Sequence, residues 1–297
     1  MVKMFEYQNG NSTVELYNDG TRIINFENEL ELDYPLNLDI RVSTACSLGY
    51  NPKTRKAICE FCHESARTDG SECDYTNLKK ILKELPKGIE LAIGGNKITN
   101  GLIEFLNWSN KRGYINNLTV NHLHINRDEF ILKMLLEDKI IRGLGISYRK
   151  DYPINFSEYF LRNKNVILHV IAGIDDVDDV LSLPFKKILV LGYKQFGFGE
   201  VFFNENVKRS ITEWYWYVKK LIDNKDVISF DNLALEQLNI KRFLPQNKWE
   251  EFNQGENSFY INAVDGYFSP SSRSNDKTSW ENQTIKEYFK KIKHVKN

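Results

Sequence analysis

The sequence predicts an α/β fold: a six-stranded parallel sheet covered by helices, with a small β appendage before it and an α+β appendage after it. Three observations carry this. Six short apolar runs lie between residues 36 and 192, each of strand length. Amphipathic stretches with apolar residues at helical spacing separate them. The runs are near-continuously apolar, as strands are when a βα array buries both faces of the sheet. Six βα units make a partial barrel or a doubly wound sheet, and in either the loops after the carboxyl ends of the strands build the site.

Residues 1–34 read as an N-terminal β-hairpin appendage. Val14-Glu-Leu-Tyr17 and Arg22-Ile-Ile-Asn-Phe26 flank Asn18-Asp-Gly20, a good hairpin turn, and Asn9-Gly10 offers another. Residues 35–199 hold the array. Strands are expected over 36–43, 89–93, 117–121, 144–148, 166–172 and 187–192, and helices over 75–85, 101–111, 127–137, 156–163 and 176–183. Residues 200–297 form a C-terminal extension expected to cover the mouth of the barrel. It has a long helix over 207–221, a strand from Val227 leading into a helix, a hairpin around Asp265-Gly266, and a closing amphipathic helix over 280–292.

At 297 residues the chain suits one large domain with appendages. Forty basic and forty acidic residues cancel, which argues against a nucleic-acid polymer or an anionic membrane as partner. No apolar run approaches the ~20 residues of a membrane span. The N-terminal Met1-Val-Lys-Met-Phe-Glu-Tyr-Gln-Asn9 has no signal-peptide apolar core, so a cytoplasmic protein is expected. Its four cysteines are then ligands or free thiols rather than disulfides.

Three of those cysteines stand at the end of the first apolar run, in Leu36-Asn-Leu-Asp-Ile-Arg-Val-Ser-Thr-Ala-Cys46 and Cys59-Glu-Phe-Cys62-His63-Glu64. Three thiolates can hold three irons of a 4Fe–4S cluster and leave the fourth iron open to a chelating ligand. Alternatively, Cys46, Cys59 and Cys62 with His63 or Cys73 could make a tetrahedral zinc site in a non-enzymatic α/β binding protein.

The cysteine stretch resembles the cluster loop of the radical S-adenosylmethionine (SAM) enzymes, whose usual pattern is Cys-x3-Cys-x-aromatic-Cys after the first barrel strand. Cys59-Glu-Phe-Cys62 fits its tail, with Phe61 the aromatic residue that shields the cluster. Twelve residues, not three, separate Cys46 from Cys59. That insert contains Gly49, Asn51 and Pro52 and can turn back on itself. The resemblance covers about residues 35–195. It implies a partial (β/α)6 barrel holding one 4Fe–4S cluster on Cys46, Cys59 and Cys62. An external one-electron donor reduces the cluster, SAM is cleaved reductively, and a 5′-deoxyadenosyl radical abstracts a substrate hydrogen.

The resemblance also implies SAM contacts. Gly94-Gly95 stands where the family has Gly-Gly-Glu against the methionine amino group, with Asn96 in place of the acid; as residues alone, the pair is an ordinary βα turn. Ser147 and Arg149 follow the fourth strand, where ribose and carboxylate contacts lie. Gly173 and Tyr193 follow the fifth and sixth, toward adenine. Cys73 could donate a hydrogen atom, ligate zinc or be inert. His122, His124 and His169 read as structural, and Lys186, Lys187 and Lys194 could favour an anionic substrate. The substrate is expected to be a small molecule, nucleoside-like by analogy with the expanded loop, with a peptide or protein as the second option.

Overall fold

A computed structural model of the chain describes residues 2–18, 21–150, 156–246 and 257–296. Strands β1 (Lys3–Asn9), β2 (Ser12–Tyr17) and β3 (Arg22–Phe26) form an antiparallel three-stranded sheet. The Asn9-Gly10 turn joins β1 to β2, with Gly10 at φ 65°. Asp19 and Gly20 of the second expected turn lie outside the described residues. The buried Asn9 carboxamide ties this sheet to the chain that follows, accepting from Asp33 and Tyr34 N–H and donating to Tyr34 O. Arg22 pairs with Glu90 at 2.6 Å, so the appendage is anchored to the main sheet by charge as well.

The six expected strands are all present: β4 (Asn37–Arg41), β6 (Glu90–Gly94), β7 (Ile115–Asn121), β8 (Gly143–Ser147), β9 (Val166–Ile171) and β10 (Lys187–Leu191). They are parallel and lie side by side in sequence order, with β5 (Ala45–Tyr50) held outside them in the loop after β4. The chain after residue 200 lengthens this sheet at both edges. β11 (Val227–Phe230) adds in parallel beside β10. β12 (Ser258–Asn262) adds in parallel beside β4, followed by antiparallel β13 (Tyr267–Ser269) and β14 (Thr278–Ser279).

The helices are α1 (Tyr75–Leu82), α2 (Asn100–Lys111), α3 (Leu123–Arg127), α4 (Glu129–Glu137), α5 (Glu158–Arg162), α6 (Val177–Ser182), α7 (Phe198–Phe202), α8 (Glu205–Asn224), α9 (Asn232–Gln237) and α10 (Ile285–Lys296). Their starts are legible chemistry. Asp74, Thr99 and Asn204 accept main-chain N–H groups as N-caps of α1, α2 and α8. The last helix begins at Ile285, later than its amphipathic pattern suggests, because Trp280 follows β14 and its N–H bonds to Gly266 O. Among the described residues no helix is long and apolar enough to cross a membrane.

Burial alternates along the strands, contrary to the expectation of a sheet packed equally on both faces. Leu38, Ile40, Leu91, Ile93, Leu168 and Val170 are at most 2% exposed and form the core. Each contributes about 1.5–3 kcal/mol of burial. The opposite face carries polar or small residues among apolar ones: Asp39 and Arg41 on β4, Gly94 on β6, Thr119 and Asn121 on β7, Ser147 on β8, His169 on β9. The parallel register sets these side by side, Arg41 with Gly94 and Thr119, Asn121 with Ser147 and His169. This polar face leads to the site.

Candidate cofactor site

The loop after β4 folds back on itself over the twelve-residue insert. Asn51 N–H donates to Lys56 O, and its carboxamide accepts from Lys53 N–H at 2.9 Å, closing a turn. Ile58 and Cys59 N–H both donate to Leu48 O, at 3.1 and 2.9 Å. Cys62 N–H donates to Cys59 O. Gly49 lies where a Cβ would stand 2.4 Å from Ala66 O, so the return strand of the loop needs glycine there. The insert thereby returns Cys59 to the vicinity of Cys46.

All three thiols are partly buried and unpaired, and they feel one another electrostatically. Burial raises the pKa of each, that of Cys59 to about 12. Opposing groups favour the thiolates. Main-chain N–H groups of Leu48 and Gly49 point at Cys46, those of Ala66 and Glu64 at Cys62, and the Arg149 charge acts on Cys59. The Asn121 Nδ2 group is buried without an oxygen or nitrogen partner and is directed at Cys46. Sulfur-directed N–H groups around buried cysteines suit ligation to a positively charged centre, which supplies the remaining drive for deprotonation. Among the described residues no three His, Cys, Asp or Glu side chains gather around a position for a single ion. Neither fourth zinc ligand stands ready: the His63 ring is turned to Glu64 and Lys194, and Cys73 lies in the apolar core.

Arg149 lies over the Phe61 ring, its guanidinium carbon 4.5 Å from the centroid. Both border a cavity of about 500 Å³ that also takes in Ile58, Gly173, Ile174 and the first turn of α8. Two residues expected to contact SAM, Arg149 and Gly173, therefore meet in one cavity with the aromatic of the cysteine loop. Gly173 has φ 99°, and a Cβ there would lie 2.8 Å from Ile211 Cγ1. Asp175 sits beneath it, 1% exposed, with burial raising its pKa to about 7.

Gly94 faces open space, with nothing within 4 Å of where its Cβ would be, whereas Gly95 packs on Leu118 and donates to Thr119 O. Asn96 is spent internally: its Nδ2 donates to Ser43 O at 3.4 Å and its main-chain O meets His124 Nε2 at 3.0 Å. Ser147 ends β8 on the polar face. Tyr193 is buried, its hydroxyl donating to Gly199 O at 2.7 Å, so its ring braces the first turn of α7.

A charged cluster on β4, β12 and two loops escapes the motif reading. Glu64 pairs with Arg41 Nε at 2.9 Å, and its main-chain O accepts from Arg41 at 2.6 Å. Tyr260 on β12 donates to the Glu64 carboxylate at 3.3 Å, and His63 Nε2 lies 3.3 Å from its other oxygen. Burial alone would raise the Glu64 pKa; the His63 and Arg41 contacts outweigh it and hold it low. Lys194 Nζ stands 3.4 Å from His63 Nε2. Asp39 and His63 are water-accessible yet surrounded by protein, and that burial raises the pKa of Asp39 and lowers that of His63. The available signal was the alternation of Asp39 and Arg41 with apolar residues in β4.

No protein-family profile and no curated protein sequence matches the chain. Among solved structures it is similar to Streptococcus suis SuiB, seen bound to precursor peptide SuiA, with a TM-score of 0.60 at 14% identity. The likeness covers 87% of this chain, and the chain spans 65% of the length of SuiB. At this identity the likeness speaks for the fold: the chain shares with SuiB an α/β fold built on a large parallel sheet.

Proposed function

We propose that the chain is a radical SAM enzyme with a partial-barrel core. The observation that carries this is the cysteine loop: three mutually interacting thiols, ringed by sulfur-directed donors, after the first strand of a sheet like that of SuiB. Cys46, Cys59 and Cys62 would hold a 4Fe–4S cluster. When bound, the reduced cluster and SAM supply an adenosyl radical that takes a hydrogen atom from substrate.

The chain's own residues bind, orient and exclude water. Gly94 leaves room for the methionine end of SAM on the polar face. The cavity of Phe61, Arg149, Gly173 and Ile174 takes the adenosine end. Asn96 cannot replace the usual acid while its amide holds Ser43, so it fixes the loop after β6 against the start of the cysteine loop. The likeness to a peptide-bound protein favours a peptide over a nucleoside-like substrate.

Iron and sulfide content and the reduced paramagnetic spectrum of anaerobically purified protein test the reading. About four irons and four sulfides, with a signal perturbed by SAM, are expected. Cys59→Ala should abolish cluster and SAM cleavage while keeping the fold. One zinc and no sulfide after reconstitution would overturn it.

A further inference from the structure

The charged cluster beside β4 contains a cation without a carboxylate of its own. Arg41 is committed to Glu64 through both its carboxylate and its main-chain oxygen. Tyr260 and His63 occupy the rest of that carboxylate. Lys194, from the loop after β10, stands 3.4 Å from His63 Nε2, and among the described residues no acid stands within ion-pair distance of its ammonium. Asp39 and Glu64 act on Lys194 through charge from beyond ion-pair distance. Lys194 is partly buried, so water does not fully compensate it. A partly buried ammonium beside a completed Arg–Glu pair recognises one more negative charge.

We propose that Lys194, steadied by His63, anchors a carboxylate of the substrate inside the polar face bordered by β4, β12 and the loop after β10. The acid is positioned beside the cysteine loop, since His63 follows Cys62 directly. Identification of the bound molecule as substrate rests on the radical SAM reading; the anion site itself does not. Two sources share this chemistry, an acidic side chain of a peptide and a free dicarboxylic acid.

Equilibrium dialysis of the anaerobic, reconstituted protein against labelled N-acetylglutamate α-amide and, separately, succinate distinguishes them. One equivalent of the amide is expected to bind, and its uncharged glutamine isostere is not. Lys194→Gln should weaken binding about tenfold or more, and Lys194→Arg should restore most of it. Lys186→Gln, on an exposed lysine, should change nothing. Tighter binding of succinate than of the amide assigns the site to a free acid; the reverse assigns it to a peptide. Equal binding of acid and isostere, or of wild type and Lys194→Gln, overturns the proposal, as does competitive loss of the probe on adding SAM, which would give Lys194 to the cofactor. Probe binding by a protein that holds no iron would support the anion site while the radical reading fails. Four irons and SAM cleavage with no probe binding would sink the anion site alone.

Discussion

Arg149 is stacked on Phe61, 4.5 Å from guanidinium carbon to ring centroid, and so carries a fixed positive charge to the loop between Cys59 and Cys62. At 9% exposure that charge is poorly screened. It already acts on the Cys59 thiol, opposing the rise that burial imposes. A positive charge beside an iron–sulfur centre favours the reduced, more negative state. Arg149→Met should therefore lower the reduction potential, on the order of tens of millivolts for a one-electron couple at an effective dielectric near 20. Arg149→Lys, which keeps the charge and loses the flat stack, should fall between. A redox titration followed by paramagnetic resonance measures this; an unchanged potential in Arg149→Met would remove the residue from the cluster's electrostatics.

Gly94 and Gly173 separate a ligand role from a backbone role. An Ala at 94 meets nothing within 4 Å, so the folded state should lose at most about 0.5 kcal/mol. Yet the methyl group occupies space assigned to SAM, and affinity should fall about tenfold or more. An Ala at 173 is strained by φ 99° and meets Ile211, and should cost about 1–3 kcal/mol. Urea midpoints and SAM binding by calorimetry on both variants supply the four numbers. Undiminished SAM affinity in Gly94→Ala would place the methionine elsewhere.

Tyr193 acts through the fold. Its hydroxyl is buried and donates to Gly199 O at 2.7 Å, beside Phe203. Tyr193→Phe leaves that carbonyl without its donor and should destabilise by about 1–3 kcal/mol. Denaturant unfolding reads the cost. A variant as stable as wild type would mean that water satisfies Gly199 in its place.

Local pattern made the sheet legible and long-range pairing did not. The runs at β4 and at β6 to β10 stand out because each buries an apolar row. The strand at 227 and the hairpin around Asp265-Gly266 were visible as elements, but nothing local says that β11 joins β10 or that β12 joins β4. The site divides in the same way. Cys46, Cys59 and Cys62 are a spacing, and spacing is read directly. Glu64 becomes a hub only when Arg41 and Tyr260, 23 and 196 residues away, are folded against it. Asp175 has no motif at all; its environment comes from burial.

That burial makes Asp175 a pH-sensitive element of the fold. One carboxylate oxygen accepts from Ile171 N–H at 2.7 Å, and the other is buried without a hydrogen-bond partner. Its main-chain O accepts from Trp214 Nε1 at 2.5 Å, which pins it to α8. Burial raises its pKa to about 7 against the pull of Arg149 and Lys150, with Asp176 adding to the rise. A carboxyl higher in the folded than in the unfolded state favours the fold only while protonated. That contribution is complete below about pH 4 and is lost as pH rises to about 7. Asp175→Asn keeps an acceptor for Ile171 and cannot ionise. Relative to this variant, wild type should lose up to about 1.4 kcal/mol per pH unit between about pH 4 and 7, and the two should run parallel above it. Urea unfolding of both proteins across pH 4 to 8 checks this, and parallel curves across the whole range would show that Asp175 is ionised throughout.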